Sequence, residues 1–369
     1  MRMGQYGRAT AALATIVLAA LLLKDAPLAS EAVSHGLSLC ARTMIPSLFP
    51  FMVVAELTVR TGAGRWLARA SAWLLRPLLR ISEAGCSAVV LGALCGFPVG
   101  ARTAASYHRR GEMTEEEFLR VMCFCNLPSA AYLVGAVGIS LFASAGVGRA
   151  LIGLSYVSAL LVGLVLRPIG SVETTARTAA RTEASGGLPD AIRAAADGMM
   201  GVCATVLLFS ALGGVVGRYL DAWGVGTVGR AALTGLLELS TGAVASAACE
   251  GDAGLLLVAA AVGWGGLSVH CQIVSVCEGC PRLRVRFWLA RLAQAVLCAL
   301  GMWCLITVGA VERGTDAGAM RPVLLWASGE LAPDASGVWC VAWVAVFVLV
   351  CFWRAVSVGR DRYGKKTRA

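Results

Sequence analysis

What most restricts the fold of this chain is the length of its charge-free stretches. Val121 to Gly148 and Ala253 to Cys277 hold no Asp, Glu, Lys or Arg. Uncharged runs also cover Ala150–Leu166, Gly198–Gly217, Leu292–Val311 and Ala335–Trp353, with shorter ones at Ala9–Leu23 and Thr43–Ala55. A helix needs about 20 apolar residues to cross a bilayer. Ala, Leu and Gly dominate the runs and period-two alternation is missing, so they read as helices and not as barrel strands. Only 15% of the 369 residues are charged and 58% are hydrophobic. A water-soluble domain carries about 25% charge, because its surface needs it. The composition excludes a disordered chain, argues against a soluble enzyme and predicts an all-α polytopic membrane protein whose first partner is the lipid bilayer.

Orientation follows from the basic segments. Arg60–Arg80, His108–Arg110, Arg167–Arg181 and Arg282–Arg291 are rich in Arg, whereas Glu250–Asp252 and the stretch Val311–Asp334 are acidic. Basic loops stay in the cytoplasm, which puts both termini inside. The formal net charge is +10. The tail beyond Trp353 carries six Lys or Arg and one Asp, five of those ten charges. Beside a hydrophobic segment, such a tail reads as a juxtamembrane patch and not as a nucleic-acid site. Arg2 and Arg8 precede the first apolar run and Pro27–Ser30 follows it, a pattern shared by a signal peptide. A retained anchor is the preferred reading, since the rest of the chain is embedded. The fourteen cysteines are scattered through apolar stretches, as small buried hydrophobes are. Cys277 and Cys280 form a lone C-x-x-C, for which packing is the plainer reading than metal or redox chemistry.

The oriented segments contain an internal symmetry. From Leu37 the order is a spanning helix, a connector, a Gly-interrupted element, a second interrupted element and a plain span. From Ile192 the order recurs, starting from the other side of the membrane. The reading divides the chain into an anchor at 1–36, a first repeat at 37–167, a linker at 168–190, a second repeat at 191–311, and a loop, last helix and tail at 312–369. Inverted repeats with broken helices are the architecture of many secondary transporters. The four interruptions are Cys95–Gly100, Phe124–Ser129, Glu238–Gly242 and Gly263–Gln272. Unwound backbone at membrane depth persists only where protein or water satisfies it, so four matched breaks predict one polar cavity at the midplane. Kinks that aid packing are the alternative. Arg65–Arg80 reads as an amphipathic helix lying in the cytoplasmic interface, with its Arg on one side and Trp66, Trp73, Leu74 and Leu78 on the other.

The strings Met44-Ile-Pro-Ser-Leu-Phe-Pro-Phe51, Gly96-Phe-Pro-Val-Gly-Ala-Arg102, Phe124-Cys-Asn126 and Gly265-Gly-Leu-Ser-Val-His-Cys-Gln272 carry a resemblance. From Leu37 to Val311 the chain resembles the sporulation integral membrane proteins with paired Gate (nucleoside-recognition) domains. The resemblance implies a broken-helix fold similar to that of concentrative nucleoside transporters. It implies residence in the cell membrane, as the outer forespore membrane of a sporulating cell. It also implies transport of dipicolinic acid from the mother cell. Leu127–Tyr132 departs from the family, which has a more polar stretch there.

Dipicolinate is a planar dianion, and the N-terminal end of a half-helix suits a carboxylate. One such end starts near Pro98, with Gly100 allowing close approach, Arg102 one turn in as a bidentate partner and Phe97 as a stacking ring. Another starts after the third break, where Ser240 and Thr241 are good N-caps. Arg102 has the alternative of reaching the interface, and Phe97 of facing lipid or core. Glu238 and His270 are ionisable groups deep in apolar segments, which marks them as cavity residues or as interhelical hydrogen bonders. A carboxylate repels an anion, so Glu238 is read as protonated, as paired with Arg102 or His270, or as carrying a coupling proton. Asn126, Ser268 and Gln272 are neutral hydrogen-bonding candidates. Glu56 and Arg60 form a structural i, i+4 pair. No nucleotide-binding motif and no partnered nucleophile are recognisable, so neither catalysis nor a cofactor is expected. The leading reading is a carrier for a small anionic solute. A nucleoside carrier, a membrane scaffold and a metal permease using Cys123, Cys125 and His270 are the alternatives, and a homo-oligomer is left open.

Overall fold

The computed structural model describes residues 16, 19–168 and 187–311. Most of the expected anchor, the body of the linker and everything beyond Val311 lie outside the described residues, including the last helix and the basic tail. The described elements are all helical. The protein is an all-α polytopic membrane protein. Ala145–Val165, Leu188–Leu220, Ala253–Val276 and Val285–Thr307 are each long and apolar enough to cross a bilayer.

The first element is long. Helix α1 (Ala26–Leu39) passes through a π-helical turn (Cys40–Met44) into α2 (Ile45–Arg60). It begins well before Leu37, where the sequence placed the start of the first repeat. Pro27 sits in the first turn of α1, where its missing N–H leaves no bond unmade and its fixed φ suits a helix. After α2 come α3 (Ala63–Leu79), α4 (Glu83–Cys95), α5 (Val99–Arg109) and α6 (Glu115–Val121). A π-helical segment (Tyr132–Leu141) and α7 (Ala145–Val165) complete the first half. The second half runs through α8 (Leu188–Ala222), α9 (Thr227–Leu237), α10 (Leu239–Ala247), α11 (Ala253–Trp264), α12 (Gly266–Val276) and α13 (Val285–Thr307).

Small residues let α8 lie against α1 and α2 in the opposite direction. A Cβ on Gly214 would come within 2.7 Å of the Ala32 Cβ, one on Gly36 within 2.8 Å of the Ser210 Oγ, and one on Gly198 within 2.7 Å of the Met52 Cε. Close backbone approach through Gly and Ala is how membrane helices associate without a hydrophobic driving force. At one end of this pair Arg218 and Tyr219 both reach the buried Asp25.

Two hairpins enter from opposite faces. α4 and α5 fold back on one another so tightly that a Cβ on Gly92 would lie 3.1 Å from the Gly100 Cα. α9 and α10 do the same, with a Cβ on Gly242 only 2.2 Å from the Gly235 Cα. The outer end of α5 is tied to the end of α12, since Arg109 donates to the carbonyls of Val276 and Glu278 at 3.3 and 3.2 Å. The loop joining α10 to α11 lies at Ala253, the other end of that 24-residue span. One face therefore gathers Arg109, Arg110 and the starts of α6 and α13. The Arg284 pairs with Glu115 and Glu116 lie there, at 3.0 and 3.1 Å, as do the bonds from Arg120 to the Arg80 and Arg167 carbonyls. The other face holds Asp25, Glu250 and Asp252.

Helix α3 meets α4 at a bend of 103°. It buries Gly64, Ala70, Ser71 and Leu79, and exposes both Trp66, Trp73 and Leu74 and the side chains of Arg69 and Arg76. The expected two-sided helix is thus three-sided, because the small residues between the aromatic and basic rows form the packing seam. The main core lies where α4–α7 meet α10–α13, around Phe118, Phe124, Phe142, Leu151, Ile273 and Phe287.

Candidate functional site

The four interruptions come together. At the tip of the first hairpin Gly96 takes φ +84°, a left-handed conformation open to glycine, and lies against the Ser129 backbone of the second break. Phe97 turns from that tip toward the fourth break, its ring 3.5 Å from where a Gly265 Cβ would stand. At the tip of the second hairpin the Glu238 Cα is 3.1 Å from the corresponding position on Gly266. Gly265 and Gly266 have φ of +92° and +81°. The two tips, entering from opposite faces, thus straddle two adjacent glycines of one broken span.

Arg291 closes this crossing. It lies in α13, about 9 Å along the helix from its start at 1.5 Å per residue, and is 1% exposed. Its Nε and Nη2 donate to the Trp264 carbonyl at 3.2 and 3.1 Å, and its Nη1 to the Asn126 carbonyl at 2.9 Å and to Gln294 Oε1 at 2.7 Å. Gln294 in turn donates to the Cys123 carbonyl at 2.7 Å. The guanidinium also lies 5.7 Å over the Phe97 ring, within cation–π range. One side chain therefore satisfies carbonyls freed by the second and fourth breaks and touches the first. Sequence reasoning missed it by assigning Arg282–Arg291 to a basic loop. The readable signal was that Arg291 stands one helical turn from Phe287 and from Gln294, inside an amphipathic pattern and not beyond it.

The predicted residues divide into two groups. Asn126, Glu238, Ser240, Thr241, Ser268, His270 and Phe97 belong to the crossing. Asn126 donates through Nδ2 to the Met122 carbonyl at 2.9 Å, while its Oδ1 has no protein partner. The same is true of Ser268 Oγ and of both ring nitrogens of His270, all buried. His270 stands in an aromatic enclosure, with ring centroids of Trp264, Trp288 and Phe287 at 4.5, 5.1 and 5.5 Å. Buried polar atoms are ordinarily hydrogen-bonded, and these four are left to bond water or a solute. Tyr132, at the start of the π-helical segment, is buried beside Ser240 and Glu238. The stretch Leu127–Tyr132 thus brings a hydroxyl to the crossing despite its apolar reading.

Four expectations change in detail. Ser240 and Thr241 are not the N-cap of α10. Glu238 is, its Oε2 accepting from the Thr241 N–H at 2.6 Å. Glu238 is the residue just before the helix, where its carboxyl reaches the free N–H of the first turn, whereas Ser240 and Thr241 already lie inside the helix. Arg102 pairs with neither Glu238 nor His270. It donates to Glu56 Oε1 and to the Ala194 carbonyl, both at 3.0 Å, and Glu56 also holds Arg60 at 3.6 Å. Arg102 is one turn beyond the tip, so α5 carries its side chain away from the crossing toward α2 and α8. The approach that Gly100 permits is that of the Cys125 carbonyl, 2.2 Å from its would-be Cβ. Gln272 lies further along α12 and donates to Thr205 Oγ1 at 3.0 Å.

Arg102 instead lines a cavity of about 370 Å³ with Arg60, Arg109, Arg110, Glu56 and Asp197, opening on the arginine-rich face. Four guanidinium groups against two carboxylates make it electropositive, and its size falls in the range of about 300–1,000 Å³ usual for small-molecule sites. Val99 and Thr103, on the first turns of α5, also line it, which joins it to the hairpin whose tip reaches the crossing. Cys123, Cys125 and His270 do not form a metal-binding group among the described residues. Cys123 Sγ donates to the Leu119 carbonyl at 3.3 Å. At Cys277, just past the end of α12, burial pushes the thiol up to about 12, with Cys280 adding and Arg109 opposing.

No family model matches the chain, and no solved structure does. The chain is similar to the sporulation integral membrane protein YlbJ of Bacillus subtilis (strain 168), at 25% identity over 325 residues, which cover 77% of this chain and 79% of that protein. The similarity supports a place among sporulation integral membrane proteins.

Proposed function

We propose that the protein is a carrier for a small organic anion, working by alternating access, and that the anion is dipicolinate. The observation that carries this reading is the meeting of four helix breaks, from two oppositely running halves, around buried polar atoms without protein partners. A scaffold needs no such crossing. A carrier does, because the unwound backbone and half-helix ends can exchange hydrogen bonds with a solute at mid-membrane depth.

The two halves are inverted copies in this reading: α2 answers to α8, hairpin α4–α5 to α9–α10, the α6 break to the α11–α12 break, and α7 to α13. The arginine-rich face is cytoplasmic by the positive-inside rule. The electropositive cavity then opens to the cytoplasm and concentrates anions at the hairpin that leads to the crossing. Export of a dianion from a negative-inside compartment is downhill by about 4.6 kcal/mol per 100 mV, at about 2.3 per charge. No nucleotide hydrolysis is required, and the protein acts as a carrier without catalysing a reaction. The relative's role in sporulation supports the setting, the outer forespore membrane of a sporulating cell.

The test is uptake of radiolabelled pyridine-2,6-dicarboxylate by proteoliposomes, with a labelled nucleoside in parallel. Saturable, voltage-sensitive dicarboxylate uptake is expected. Nucleoside uptake alone would replace the substrate, and uptake of neither would remove the carrier reading.

A further inference from the structure

Arg291 is a buried cation with no carboxylate paired to it among the described residues. Removing a guanidinium from water without a counter-charge is costly, and carbonyl dipoles compensate it only in part. A purely structural donor at this place needs no charge. Its hydrogen bonds are also unevenly distributed. Four of the five N–H groups of an arginine are used by Trp264, Asn126 and Gln294. The fifth is on Nη2, and Nη2 lies 3.0 Å from where Gly265 would carry a Cβ. A side chain at that position would crowd Nη2, the Phe97 ring at 3.5 Å and Val269 at 3.7 Å, so only glycine leaves the corner to those groups.

The corner at Gly265 is also the start of α12, whose first turn has no side-chain cap. The start of α5, at Pro98, has none either, and Phe97 brings that end against Gly265. By contrast the start of α10 is filled by the chain's own Glu238 carboxylate. Ser268, in the first turn of α12, and Asn126, whose carbonyl already touches Arg291, hold the partnerless Oγ and Oδ1.

We infer that a carboxylate of the transported anion binds at this corner. It receives the free Nη2–H of Arg291 and the first-turn N–H groups of α12, with its ring beside Phe97. The contact is a single charge-assisted hydrogen bond, because the rest of the fork is engaged by the protein. Arg102 belongs to the entry cavity and gathers the anion without holding it at the crossing. The inference rests on the carrier reading and goes beyond it in naming the residue that selects for negative charge.

The experiment compares wild-type protein with Arg291→Gln, Arg291→Lys and Arg102→Gln in proteoliposomes, using pyridine-2,6-dicarboxylate. The KM rises about tenfold or more in Arg291→Gln, as expected for loss of a charged hydrogen bond, and is partly restored in Arg291→Lys. In Arg102→Gln it rises less and becomes less sensitive to salt. Because Arg291→Gln also loosens two breaks, a Ser268→Cys variant keeps the inference testable if that protein fails to fold. The dicarboxylate slows modification of the introduced thiol by a small methanethiosulfonate, in proportion to its occupancy.

A wild-type KM in Arg291→Gln, or a Ser268→Cys thiol modified at one rate with and without the anion, overturns the inference and leaves the carrier standing. A wild-type protein that moves a nucleoside and no carboxylate overturns both.

Discussion

Replacing Gly92 by Ala tests how the first hairpin is held against the second break. The new Cβ would lie 1.9 Å from the Cys125 carbonyl oxygen and 3.1 Å from the Gly100 Cα. Ordinary contact begins near 3.4 Å, so one backbone must move by about 1.5 Å. Both obstacles are main chain, so no rotamer change relieves the clash. Overpacking of this kind costs about 1–3 kcal/mol, and a backbone obstacle belongs at the upper end. Helix propensity returns about 1 kcal/mol. The net expectation is a loss of about 2 kcal/mol, which at 1.4 kcal/mol per decade is a nearly thirtyfold drop in the folded ratio. Gly153→Ala in α7 is the control, because nothing lies within 4 Å of its Cβ position. There the same propensity gain acts alone, and the variant should be neutral or up to about 1 kcal/mol more stable. Reversible unfolding in mixed micelles, followed by tryptophan fluorescence, measures both. Equal stabilities for the two variants would refute the close hairpin contact, and with it the placement of the first tip at the crossing.

Further outcomes follow from other parts of the molecule. Gly242→Ala, with its Cβ 2.2 Å from the Gly235 Cα, should destabilise the second hairpin by a similar amount in the same assay. Phe124→Ala, which empties a fully buried position against Gly163, should cost about 3–5 kcal/mol. Arg284→Ala removes exposed pairs with Glu115 and Glu116 and should change stability by no more than about 1 kcal/mol, less in high salt. Burial raises the Cys277 thiol from 9.0 to about 12, and the thiolate is the reacting form. At pH 8 its alkylation should therefore be about a thousandfold slower than that of an ordinary thiol and should recover on unfolding, as measured by mass spectrometry.

The helical membrane class was legible in the charge-free runs, and the breaks in Gly96, Pro98, Asn126, Pro128 and the Gly265–Gly266 pair. Those signals are local: each says that a helix cannot continue, and the bilayer supplies the rest. Which polar groups face one another was not legible. Arg102 and Arg291 both read as basic residues near a membrane face, yet one pairs with Glu56 and the other is buried among carbonyls. The difference lies in the direction each helix takes from its break. Glu238 was legible as an unusual buried acid but not as a helix cap, because its preference depends on α10 starting at the very next residue. Gly92 and Gly100, and Gly235 and Gly242, stand about one helical turn on either side of the two tips, and that spacing was a readable sign of folding back.

Everything proposed for the crossing requires the two hairpins to enter from opposite faces and meet inside the membrane. Glu112 follows α5 and Glu250 follows α10, and both are exposed. The single variants Glu112→Cys and Glu250→Cys, each in a background lacking other reactive thiols, would be treated with a membrane-impermeant maleimide in oriented vesicles. Labelling of the Glu112→Cys variant from the cytoplasmic side only, and of the Glu250→Cys variant from the opposite side only, is the predicted result. Labelling of both from one side would contradict it.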